Sequence, residues 1–171
     1  MSVALRVAPL VFVAAVVQVA TIGGLRILGA EPDVLLVTVV ALALVAGSLA
    51  GAVAGFAGGL LVDVMTLGTL GVTSIVLILV GYWAGRYGET TARGRAYAPS
   101  LAAFALTIVA GVGGIALHFL LGQSVSGRTA LVTVVPSAIL AAALVVPVHR
   151  ICRRLLDEVV PYERARSVEL V

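Results

Sequence analysis

Apolar residues run through this chain in long blocks, separated by short polar clusters. The first block spans about Val7–Leu25 and holds Gln18 and Thr21 but no charge. A polar turn, Arg26–Asp33, follows, with Glu31 and Asp33 on either side of Pro32. Proline there suits a turn that leads into the first turn of a helix. Asp33 suits the positive end of that helix.

From Val34 to Leu61 the apolar run is unbroken, which is too long for one ordinary span. Gly47-Ser48 lies in its middle and predicts a break. The expected second and third helices are therefore about Val34–Ala46 and Leu49–Val62. Both are short for a hydrocarbon core of roughly 30 Å, which tilt or local thinning can accommodate. The alternative is one long, bent helix. Asp63 closes the third block, and Thr66, Gly68, Thr69 and Gly71 mark a turn. The fourth helix is expected over about Val72–Gly85, the fifth over Ser100–Leu121 and the sixth over Thr129–Val148, with Pro136 as a kink. Arg86–Pro99 reads as the longest polar connection, and the residues after Arg150 as a charged tail. Arg6 before Val7–Val17 has the look of a leader sequence, but no small-residue cleavage site follows it, so the segment reads as the first membrane helix.

Composition fits this layout. Of 171 residues, 61% are hydrophobic and 11% charged. A soluble domain carries about a quarter charged residues, so lipid must solvate most of this chain. The expectation is an all-α, polytopic membrane bundle at residues 1–150 and a short tail at 151–171.

The net charge of +3 is carried by arginine alone on the basic side, for there is no lysine. The arginines sit at the ends of apolar blocks, which points to orientation rather than nucleic-acid binding. With the N-terminus inside, six helices place nine arginines inside and two, Arg26 and Arg128, outside. That bias favours both termini in the cytoplasm of a cell whose inner membrane the chain crosses repeatedly. A fused second and third helix would put Arg86, Arg93 and Arg95 on the wrong side. Tyr82, Trp83, Tyr87 and Tyr97 flank that arginine cluster, as aromatics do at a headgroup boundary.

The strongest local pattern is a ladder of glycines, Gly47, Gly51, Gly55 and Gly59, spaced by four. Residues four apart share a helix face, and glycines there let another backbone approach closely. The face either packs inside the bundle or docks a partner's membrane helix. Gly81 and Gly85 repeat the spacing once. Asp63 reads as a helix-end residue at the outer boundary or as a polar anchor for a partner or neighbouring helix. His118 reads as a hydrogen-bonded packing residue, His149 as interfacial and Cys152, the lone cysteine, as a small buried or interfacial residue. No metal-ligand, thiol-redox, nucleophile-elbow or phosphate-loop motif is present, so no enzyme activity, cofactor or metal is expected.

The run Pro32-Asp33 before an aliphatic block, then GAVAGFAGGLLVDVMTLGTLG from Gly51 to Gly71, then GYWAGR from Gly81 to Arg86, resembles the rod shape-determining protein MreD family. The resemblance implies a fold similar to the substrate-binding subunits of energy-coupling-factor vitamin transporters. It also implies a non-enzymatic scaffold that binds MreC and works with MreB, RodA and a class B penicillin-binding protein in lateral wall synthesis. Gly47, Gly51, Gly55, Gly59 and Asp63 are then the candidate partner contacts. The rival expectation is a vitamin-binding transporter subunit, which needs convergent polar groups such as Asp63, Thr66, Thr73, Ser74, His118 and Gln123 toward the outside.

Overall fold

A computed structural model describes residues 3–21, 33–90, 98–122 and 127–156. The described residues form six helices and no strand: α1 (Val3–Thr21), α2 (Val34–Ala46), α3 (Ser48–Met65), α4 (Val72–Thr90), α5 (Ala98–Leu120) and α6 (Gly127–Leu156). Three of them, α3, α5 and the Thr133–Leu156 part of α6, are long and apolar enough to cross a membrane. The residues after 156, Arg93, Arg95, Tyr97 and Gln123 lie outside the described residues.

The shortest helix is the centre of the bundle. α2 has 13 residues, about 20 Å of rise, and every residue from Leu35 to Ala43 is buried. The other five helices all pack against it. Protein rather than lipid thus surrounds its middle, while Val34 and Leu44–Ala46 at its ends are half-buried. Three N–H groups in its first turn are satisfied by side chains. Gln18 of α1 accepts from Val34 N at 2.7 Å and Leu35 N at 3.3 Å, and Asp33 Oδ1 accepts from Leu36 N at 2.9 Å.

A single residue, Gly47, separates α2 from α3. Its φ of 99° lies in the region open mainly to glycine. That bend replaces the continuous-helix alternative for residues 34–61. Other boundaries move. α4 runs on to Thr90, so Arg86 and Glu89 are helical rather than part of a loop. α6 continues through Pro136 and Pro147 to Leu156. Arg150, Arg153 and Arg154 thus belong to the helix, not to the tail. The cause is an apolar face that does not stop at Val148: Val145, Cys152 and Leu156, seven and four residues apart, are all buried.

Candidate functional site: the α3–α4 hairpin and the outer cavity

The glycine ladder lies against α4. A Cβ on Gly51 would sit 2.5 Å from the Gly81 carbonyl oxygen, and one on Gly59 would sit 2.5 Å from Ser74 Cα. Gly55 faces the Leu77 backbone in the same way, at 2.6 Å from its carbonyl carbon. From the other side, Gly85 meets Ser48 and Gly81 meets Gly51. Two helix backbones therefore run in direct contact along the pair, as small residues at four-residue spacing allow. Gly58, one residue off the ladder, instead faces Leu35 of α2 and Val11 of α1. The ladder face is thus covered within the chain.

Each end of the hairpin is closed by a carboxylate from the opposite helix. Asp63, in the last turn of α3, accepts from Gly71 N at 2.8 Å, just before α4 begins. Its own carbonyl accepts from Gly68 N at 3.1 Å, and Leu67 N reaches Val64 O at 3.4 Å. These two bonds form the paired C-terminal closure in which the residue after the cap is left-handed. That residue is Leu67, with φ 53°. Asp63 is only 4% exposed. It is a polar anchor, and within the chain its partner is the start of α4.

At the far end, Glu89 in the last turn of α4 receives both Ser48 N at 2.8 Å and Ser48 Oγ at 3.0 Å on Oε1. Ser48 is the first residue of α3, and Gly47 before it has no side chain to cap with. Arg86 lies 3.5 Å from the other carboxylate oxygen. Reading Arg86–Pro99 as a loop hid Glu89. The signal was present in Gly81, Gly85 and Gly88, whose spacing carries the close-contact face past Arg86: Gly88 packs on Leu44 of α2.

The outward face of α3 is apolar and uncovered. Leu49, Val53, Phe56, Leu60 and Val64 fall on one side at helical spacing, all exposed. On α4, Ile75, Leu79, Tyr82 and Trp83 are likewise exposed, the last two in edge-to-face contact with centroids 6.0 Å apart.

Around the start of α2 lies a cavity of about 360 Å³, lined by residues of α1, α4, α5 and α6 as well. Gln18, Asp33, Thr73, Thr107, His118, Thr133 and Ser137 give it polar walls. Asp63, Thr66 and Ser74 do not line it, so among the described residues Thr73 and His118 are the expected outward polar groups that converge there. His149 does not line it, and Cys152 is buried. Among the described residues no cluster of His, Cys, Asp or Glu could hold a metal ion.

A family model described as rod shape-determining protein MreD matches residues 2–157. The chain belongs to the MreD family. The match takes in all six helices, so the hairpin and the cavity both lie within its MreD region. This MreD protein is a membrane protein with a role in rod shape determination. No curated protein and no solved structure matches the chain.

Proposed function

We propose that this MreD protein is a non-catalytic scaffold of the bacterial elongation complex, binding the transmembrane helix of MreC directly. MreB, RodA and a class B penicillin-binding protein are its fellow members, and lateral peptidoglycan synthesis is the process served. The observation that carries the reading is the family match over residues 2–157. In this reading all six helices lie in the inner membrane, both termini are cytoplasmic and the bundle is similar in fold to the vitamin-binding transporter subunits. The bundle domain is taken to include all of α6, to Leu156. The arginines at the ends of α4 and α6, Arg86, Arg150, Arg153 and Arg154, support that orientation and suit contact with anionic lipid.

The glycine ladder and Asp63 serve partner binding at one remove. They hold α3 against α4, so that Leu49, Val53, Phe56 and Leu60 form one fixed apolar face for the MreC helix. The test is co-purification with MreC from membranes. Replacing Phe56 and Leu60 with Ala should reduce recovered MreC about tenfold, while the same change at exposed Val109 and Val112 of α5 should leave it unchanged. Full recovery of MreC by the α3 variant, at an unaltered melting temperature, overturns this surface. The vitamin-carrier alternative has one observation in its favour, the polar-walled cavity. Submicromolar vitamin binding by the purified protein would support it.

A further inference from the structure

Among the described lining residues of the cavity there is a carboxylate, Asp33, and no lysine or arginine. Thr107 Oγ1 donates to Ala103 O at 2.7 Å, and Ser137 Oγ donates to Thr133 O at 2.9 Å. Their protons are spent on backbone carbonyls, so each hydroxyl offers the cavity lone pairs only. Asp33 uses Oδ1 on Leu36 N, and its Oδ2 accepts no bond among the described residues. Gln18 presents its carbonyl oxygen at the same helix start. Thr73, Thr133, His118 and the Gln18 amide are the other polar groups among the described lining residues.

Helix N-termini often favour anions, and two border this space. Both are already opposed by protein groups. At the α2 start Gln18 and Asp33 accept from the first three N–H groups, and at the α4 start Asp63 accepts from Gly71 N and the Thr69 carbonyl from Val72 N. What is left is a polar end that carries the Asp33 carboxylate and the acceptor oxygens of Thr107 and Ser137, against an apolar wall of Leu36, Val76, Leu77 and Val134.

The geometry points to a binding site in this cavity for a small amphiphile with a primary ammonium head, its N–H donors on Asp33, Thr107 and Ser137. The site is independent of the scaffold reading. An ethanolamine-headed lipid and a free alkylamine both carry that chemistry. A trimethylated head does not, because it has charge but no N–H donor.

Native mass spectrometry of the full chain in neutral detergent tests the assignment with three probes: dihexanoyl-phosphatidylethanolamine, its phosphatidylcholine counterpart and hexylamine. The ethanolamine lipid is expected to bind at least tenfold more tightly than the choline lipid. Binding of hexylamine as tight as the ethanolamine lipid identifies a free amine as sufficient, and much weaker binding identifies a lipid head; either supports the ammonium site. Asp33→Asn keeps an acceptor for Leu36 N and removes the charge, and should lower ethanolamine-lipid binding about tenfold. Gly114→Leu fills the cavity from α5, where an added Cβ meets nothing within 4 Å, and should abolish it. Equal affinity for ethanolamine and choline heads, no binding of any probe, or undiminished binding by both variants overturns the proposal.

Discussion

Glu89 Oε1 lies 2.8 Å from Ser48 N and 3.0 Å from Ser48 Oγ, so the last turn of α4 caps the first turn of α3. Asp63 does the reciprocal work at the other end, on Gly71 N. A helix start in or near lipid has no water to satisfy its N–H groups, and each one left bare is costly. Here the two antiparallel helices supply each other's caps, and their negative C-terminal acids sit at positive helix starts.

Loss of the Glu89 cap should be visible as stability. Glu89→Ala is expected to cost about 1 kcal/mol, as loss of an N-cap does, and Glu89→Gln clearly less because an amide oxygen still accepts from Ser48. Thermal unfolding in detergent distinguishes the two.

Asp63→Ala should be more severe, because it removes the acceptor of Gly71 N from a buried site. A loss of about 1–3 kcal/mol is expected. Asp63→Asn retains an oxygen and should recover most of it. Equal destabilisation by both variants would show that the charge, not the hydrogen bond, holds the turn.

Glycines should behave differently along the chain according to what an added Cβ would meet. Gly55→Ala drives a methyl into the Leu77 backbone, where neither helix can give way by a rotamer change. The expected loss is about 1–3 kcal/mol. Gly113→Ala on α5, where a Cβ meets nothing within 4 Å, should instead gain up to about 1 kcal/mol from helix propensity. Denaturation midpoints of the two variants should move in opposite directions.

Leu67 is 93% exposed and left-handed, at φ 53°. A leucine there costs about 1–2 kcal/mol of backbone energy. Leu67→Gly relieves it against a larger unfolded-state entropy, for a net gain of about 0.5 kcal/mol. A rise in melting temperature of about 1–2 °C is the expected readout.

Much of the architecture was legible in the sequence because bilayer physics acts on composition. Uninterrupted apolar blocks specify helices, and Gly47 in the longest of them specifies a break. The four-residue glycine spacing announced a close helix contact, though not with which helix. The sequence left two occupants for that face, and only the packed structure placed α4 on it, since the choice depends on which backbone can reach within van der Waals distance. The ends of α4 and α6 were misjudged for one reason. Arg86, Glu89, Arg150 and Arg153 look like loop residues by polarity, whereas Gly88, Cys152 and Leu156 are buried on the opposite face of the same turns. Tertiary contacts alone decided the polar pairings. Gln18 with Val34, Glu89 with Ser48 and Asp63 with Gly71 are 16, 41 and 8 residues apart. Sequence fixes which groups must find partners in a dry environment, and the fold determines which partners they find.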